Sequence, residues 1–132
     1  MNKEQLMERA VKVMEKSYSP YSHFPVGCAM LMKDGEVIEG VNVENVSFGA
    51  TNCAERTAIF TAVTKGYAPK SIAAIAVSGD TEAFLPPCSI CRQVLVEFCD
   101  AETPVYLTRH DGAIFETSVK ELVPFAFETL EM

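Results

Sequence analysis

Asn52-Cys53-Ala54-Glu55-Arg56 and Pro86-Pro87-Cys88-Ser89-Ile90-Cys91-Arg92 are the two stretches on which the reading of this chain turns. The first carries one thiol with a carboxylate two residues on. The second carries a thiol pair in a Cys-x-x-Cys spacing directly behind two prolines. Each stretch opens a segment of helical periodicity, so all three sulfurs fall on or near helix N-termini. The positive end of a helix lowers a thiol's pKa and favours the thiolate, the form that binds metal. Zinc takes such soft ligands tetrahedrally, and three protein ligands leave a fourth position for water, the layout of a catalytic site. Cys53, Cys88 and Cys91 are therefore the expected ligands of one Zn2+ per chain. Glu55 is the expected acid/base group beside the water. Two other readings remain: a structural zinc site, or buried thiols with Asn52 and Glu55 forming a helix capping box.

Outward from these stretches the pattern alternates between helix and strand. Residues 2–17 read as an amphipathic helix, with Asn2 and Gln5 as an N-terminal capping pair and Leu6, Ala10, Val13 and Met14 on one face. Ser19-Pro20 stops it, and an aromatic-rich loop runs from Tyr18 to Pro25. Residues 26–32 are apolar on both faces, as an interior strand requires, and Asp34-Gly35 signals a tight hairpin returning along 37–43. A second helix is expected over 53–65, buried through Ala54, Ala58, Ile59, Ala62 and Val63 and stopped by Gly66 and Pro69. Residues 72–77 form a continuous apolar run, a strand covered on both faces. The third helix spans 88–99 with Ile90, Val94, Leu95 and Phe98 on its face. Strands follow over 105–108 and 113–117. The first is parallel to its predecessor across the helix; the second is antiparallel because Asp111-Gly112 leaves room only for a turn. Ser118 and Glu121 are a capping box for a last short helix that ends at Pro124. The expected fold is α/β: a three-layer α/β/α sandwich with a mixed five-stranded sheet, in one domain over residues 1–132. Both metal-binding helices start at carboxyl ends of strands, where open α/β sheets bind ligands.

Composition narrows the function classes. Hydrophobic residues make up 48% of the chain, enough for a core and against disorder. The net charge of −7, from 18 acidic against 11 basic residues, leaves no basic stripe to neutralise phosphates. No nucleic-acid partner is expected, and an uncharged small molecule fits better. No apolar run reaches the roughly 18 residues of a membrane span, and the polar N-terminus does not read as a signal peptide. Of five cysteines, Cys28 and Cys99 lie in apolar surroundings and read as small buried hydrophobes. Unpaired thiols of this kind point to the cytoplasm.

The pairing of Cys53-Ala54-Glu55 with Pro87-Cys88-Ser89-Ile90-Cys91 resembles the signature of the zinc-dependent cytidine deaminases. The resemblance runs from Tyr18 to Phe127 and is to the small, homotetrameric class that acts on free nucleosides. It implies hydrolytic deamination of cytidine and deoxycytidine to uridine and deoxyuridine plus ammonia, a step of pyrimidine salvage. In that class the residues matching Asn42 and Glu44 grip a ribose hydroxyl, and the loop aromatic matching Phe24 lies against the nucleoside. The backbone N–H of Ala54 and the carbonyl of Pro87 are expected to position the pyrimidine edge. Phe127 matches the C-terminal phenylalanine that reaches a neighbouring subunit's site in the tetrameric class, so pockets shared between subunits are implied.

Three thiolates outweigh a zinc dication by one charge, which weakens the metal as a Lewis acid. Arg56 and Arg92 follow Cys53 and Cys88 closely enough to donate hydrogen bonds to the sulfurs and temper that excess. The family's strings Cys-Ala-Glu-Arg and Cys-Arg-Gln point the same way. Without the resemblance, Asn42 and Glu44 read as a polar strand end, Phe24 as core packing, and each arginine as a solvated surface residue. Phe127 could pack within its own chain, although Phe125 is the better candidate for that. The chain departs from the family pattern at Ser89, often Gly; at Pro87, often Ser; and at Phe48, often Tyr. Two alternative functions are a deaminase of a cytosine-nucleoside antibiotic and a catalytically silent zinc-binding module. The Asn42-x-Glu44 pair favours an ordinary ribose over the first, and the retained Glu55 argues against the second.

Overall fold

The structure, a computed structural model, describes residues 1–130. Its elements in chain order are α1 (Lys3–Val13), β1 (Val26–Met32), β2 (Val37–Val41), α2 (Ala54–Thr64), β3 (Ile72–Gly79), α3 (Ser89–Phe98), β4 (Pro104–Thr108), β5 (Ile114–Ser118) and α4 (Val119–Leu122). The strands form one sheet in the order β2-β1-β3-β4-β5. β1 is antiparallel to both β2 and β3, β3 is parallel to β4, and β4 is antiparallel to β5. The mixed sheet carries helices on both faces, the expected three-layer α/β/α sandwich.

Alternation along the central strands sorts the core into two layers. Cys28 and Met30 of β1, Ile75 and Val77 of β3 and Val105 of β4 face α2 and α3, meeting Ile59, Leu95 and Val96. Ala29, Ala74 and Ala76 face the other way, against Leu6, Met7 and Ala10 of α1. This period of two is the pleat of a strand buried on both faces, and it explains why β1 and β3 read as unbroken apolar runs. The small residues lie beneath α1 and let that helix sit close to the sheet. Capping supports α1 as well: Asn2 and Gln5 form the full reciprocal box.

A second close approach positions the functional helix. At Gly40 of β2, an added Cβ would lie 2.5 Å from the Ala54 carbonyl oxygen and the Ala58 nitrogen. Both neighbours are backbone and cannot yield, so the glycine sets how near α2 comes to the sheet. Gly40→Ala is expected to cost about 1–3 kcal/mol of stability, the usual penalty for overpacking. A lower urea midpoint at unchanged slope is the measurement. Zinc binding should weaken in parallel, because Cys53 opens the displaced helix.

Several sequence expectations need adjustment. β2 ends at Val41, and Val43 instead makes isolated bridges to Asn52 and Tyr18, so Asn42 and Glu44 sit just past the strand. Val63 is 48% exposed, because the buried stripe of α2 runs through Ala54, Ala58 and Ala62 with Glu55 and Ile59. Ile90 is 62% exposed: consecutive helical residues diverge by about 100°, and Cys91 takes the inward position. After α4, Phe125 has a positive φ of 54° and is fully exposed, so the alternative of packing on the sheet does not hold for it.

Candidate active site

Two helix N-termini converge to bring the three sulfurs together. Cys53 is the N-cap of α2, and Cys88 is the N-cap of α3. Cys91 lies in the first turn of α3, and its backbone N–H points 3.4 Å from the Cys88 sulfur. The three Sγ atoms lie within 4.8 Å of one another, with Cys53 and Cys88 at 3.8 Å. Zinc–sulfur bonds of ~2.3 Å at tetrahedral angles set sulfurs roughly 3.8 Å apart, so the donor set has the spacing the metal needs. It is also far wider than the ~2.05 Å of a disulfide. All five cysteines are free thiols.

The electrostatics favour metal. The Cys53 thiol is pushed down to about 5, first by the hydrogen bond from Cys91 and then by the donors Arg56 and Cys88. Cys91 is driven the opposite way, first by its hydrogen bond to Cys53 and then by burial. Arg56 Nη2 donates to Cys53 Sγ at 3.3 Å, as its spacing suggested. The Arg56 Nε is buried and has no hydrogen-bond partner, which leaves a bare donor beside the sulfur cluster.

Arg92 behaves differently from the expectation. Its Nε donates to the Pro87 carbonyl at 2.8 Å and its Nη1 to the Leu122 carbonyl at 3.2 Å. The guanidinium is thus spent on two backbone carbonyls and is not directed at a sulfur. It braces the peptide immediately before Cys88 against the end of α4. A carbonyl oxygen has two lone pairs, so Pro87 keeps one acceptor position.

Glu55 lies in the first turn of α2 and is only 4% exposed. Burial pushes its carboxyl up from the ordinary range, and the nearby Cys53 charge adds to this. The capping-box alternative fails here: the N-cap is Cys53, and no side chain caps α2. Asn52 bonds to the Thr57 hydroxyl instead. Ala54 is fully buried and opens α2, so its N–H belongs to the first turn, where helices leave donors unpaired.

Beside the sulfurs lies a cleft of about 300 Å³ whose wall includes Phe24, Asn42, Glu44, Cys53 and Ala54. Three separate chain segments meet there. Phe24 is 39% exposed, so it forms the rim of this cleft rather than core. Asn42 and Glu44 are both buried and heavily hydrogen-bonded. Phe127 is not among the residues lining the cleft; it is 65% exposed, and its carbonyl accepts from Gln93 Nε2 at 2.8 Å. A larger cavity, about 470 Å³, opens at the other end of α3 against α4. It contains none of the three clustered thiols, so size does not mark the reactive site here.

Sequence reasoning passed over Ser17 and Ser22. Ser17 Oγ donates to Asn42 Oδ1, and Ser22 Oγ donates to Glu44 Oε2. Both lie in the run Ser17-Tyr18-Ser19-Pro20-Tyr21-Ser22, and serine is a common residue of loops for many reasons.

Known proteins resemble this chain. Residues 1–107 match the family model described as the cytidine and deoxycytidylate deaminase zinc-binding region. A cytidine deaminase of Halalkalibacterium halodurans is 50% identical over 132 residues, covering 100% of this chain and 98% of that protein. One from Sporosarcina psychrophila is 50% identical over 127 residues, 96% of this chain and 92% of that protein. The crystal structure of cytidine deaminase from Burkholderia pseudomallei superposes with a TM-score of 0.94 at 47% identity, covering 96% of this chain and 100% of that one. A cysteine triad spaced for zinc, a buried glutamate beside it and likeness along the whole chain lead to one conclusion: this protein belongs to the cytidine and deoxycytidylate deaminase family.

Proposed function

We propose that this protein hydrolyses cytidine and deoxycytidine to uridine and deoxyuridine with release of ammonia, in one domain spanning residues 1–132 and with one zinc per chain. The observation that carries this is the buried Glu55 carboxyl one helical position past Ala54, against three sulfurs clustered within 4.8 Å. Cys53, Cys88 and Cys91 would hold the zinc, which when bound would lower the pKa of a water toward neutrality.

The chain's own residues do the rest. Glu55 takes the proton from the attacking water and delivers it to N3 of the cytosine ring as oxygen adds at C4. It then helps move a proton to the exocyclic amino group, the C4–N bond breaks, and ammonia leaves. One carboxylate serves both steps because they are sequential. Its raised pKa suits a group that must both take and give a proton. The Ala54 N–H and the remaining lone pair of the Pro87 carbonyl orient the pyrimidine edge, with Arg92 fixing that carbonyl in place. Arg56 draws charge from the Cys53 sulfur. With Arg92 committed elsewhere, the tempering role falls to Arg56 at Cys53 and to the Cys91 backbone N–H at Cys88. Asn42 and Glu44 hold a ribose hydroxyl at the far end of the cleft, and Phe24 lies along the nucleoside. The test is ultraviolet absorbance: incubation with cytidine should convert it to uridine, and an unchanged spectrum with the zinc-loaded protein would refute the activity.

We also infer a homotetramer whose pockets are completed by neighbouring chains. Its support is the large apolar surface left open on one chain, including Phe48 at 70%, Ile90 at 62%, Phe125 and Phe127. Phe127 is the residue expected to close a neighbour's site. Phe127→Ala should raise KM for cytidine by more than it lowers zinc content, and sedimentation of the wild type as an active monomer would sink the shared pocket. None of the described helices is long and apolar enough to cross a membrane. Five free thiols support a cytoplasmic enzyme.

A further inference from the structure

The loop before β1 fills nearly every hydrogen-bonding position on Asn42 and Glu44. Glu44 Oε1 accepts from the backbone N–H groups of Tyr21 and Ser22 at 3.0 and 3.1 Å, and its Oε2 accepts from the Ser22 hydroxyl. Asn42 Oδ1 accepts from the Val26 N–H at 2.9 Å and from the Ser17 hydroxyl, while its Nδ2 donates to the Phe24 carbonyl at 2.9 Å. Two backbone groups thus fix which end of the Asn42 amide is oxygen and which is nitrogen.

A carboxylate offers about four lone-pair positions, and a primary amide offers two lone pairs and two N–H donors. Among the described residues, three donors occupy Glu44, leaving a single acceptor position on Oε2. Asn42 is left with no free lone pair on Oδ1 and a single N–H. One vacant donor beside one vacant acceptor is the complement of a single hydroxyl group, which accepts through its oxygen and donates through its hydrogen.

We propose that Ser17 and Ser22 are positioning residues that make Asn42 and Glu44 the reader of one sugar hydroxyl, by filling the other hydrogen-bonding positions on those side chains. This rests on the reading of Asn42 and Glu44 as the ribose grip. Ser22 is the stronger of the two. It supplies both an N–H and an O–H to the carboxylate, one to each oxygen, so the group is fixed against rotation about its own axis. The same hydroxyl is the first cause holding Glu44 below the usual carboxylate range, which keeps it an acceptor. Without it, Oε2 carries two open positions, water competes for both, and the sugar hydroxyl loses its alignment.

The readout is the enzyme's preference for cytidine over 2′,3′-dideoxycytidine, taken as a ratio of kcat/KM on the zinc-loaded protein. Ser22→Ala should reduce that preference about tenfold through KM for cytidine, the scale of a hydrogen bond to a charged group, with kcat little changed. Ser17→Ala should reduce it only about twofold to threefold, since two backbone partners still hold the Asn42 amide. Ser22→Thr keeps the hydroxyl and should restore the wild-type ratio, which separates lost positioning from a poorly folded variant. Glu44→Gln separates the proposal from the reading beneath it. If Glu44→Gln reduces the preference and Ser22→Ala leaves it intact, the serine has no positioning role. If Glu44→Gln leaves the preference intact, Glu44 does not hold the sugar hydroxyl, and the positioning proposal falls with it.

Discussion

Glu55→Ala is expected to keep its zinc and lose deamination by at least about 10²–10⁴-fold, the range a general acid/base contributes. Retention of zinc follows from geometry, because the three sulfurs form a complete donor set without the carboxylate. Retention of the fold follows from burial. A carboxyl that is 4% exposed and whose pKa is raised by desolvation already sits where its charged form is disfavoured. Removing it relieves that cost while opening only a small void at the start of α2. Activity should collapse because the carboxylate that lines the cleft beside Cys53 and Ala54, Glu44, is held at the loop by Ser22 and Tyr21 and is not placed to replace Glu55. Glu55→Gln is the sharper variant, since it preserves shape and hydrogen bonding but cannot carry a proton. Zinc per chain by elemental analysis and turnover by ultraviolet absorbance are the two measurements. Loss of metal with near wild-type turnover per remaining zinc would make Glu55 a structural residue.

The metal ligands were legible in sequence because their chemistry ties residue type to spacing. Cys88 and Cys91 must share the first turn of one helix, and Cys53 must cap another, so the helix boundaries and the ligands predicted each other. β1 was legible for a different reason. Its apolar run is bounded by Pro25 and by Asp34-Gly35, and Gly35 adopts the φ of +92° that such a turn demands. Arg92 was not legible. Helical spacing gives the face on which a side chain leaves but not what the neighbouring element offers it. Here the end of α4 brings the Leu122 carbonyl within 3.2 Å, and the loop before α3 offers Pro87. Ile90 misled for a related reason. Hydrophobicity predicts burial in some interface, and this side chain is not buried within its own chain. Ser17 and Ser22 left no trace in the pattern, because their importance lies in partners on the far side of β1 and β2.

Cys88→Ala and Cys91→Ala should each abolish both zinc and activity, for two sulfurs cannot hold the ion against water and the described residues offer no replacement ligand. Among the described residues, Cys53, Cys88 and Cys91 are the group with geometry suited to a metal. The two variants should differ in stability. Cys91 is fully buried, so its replacement removes one sulfur from a packed site and also takes away the donor that holds the Cys53 thiol low. Cys88 is exposed and acts as the N-cap of α3, so its replacement costs mainly a weak cap to the Cys91 N–H. Because a structural or catalytic ion bound only by the folded chain adds its binding energy to folding, both variants should melt below the zinc-loaded wild type. They should fall close to the wild type stripped by a chelator, with Cys91→Ala the lower of the two. Zinc content, melting temperature and turnover on one preparation decide the matter. A zinc-free Cys91→Ala protein that still deaminated cytidine at the wild-type rate would remove the metal from the mechanism. Glu55 would then have no activated water to deprotonate, and its assignment as proton carrier would fail as well.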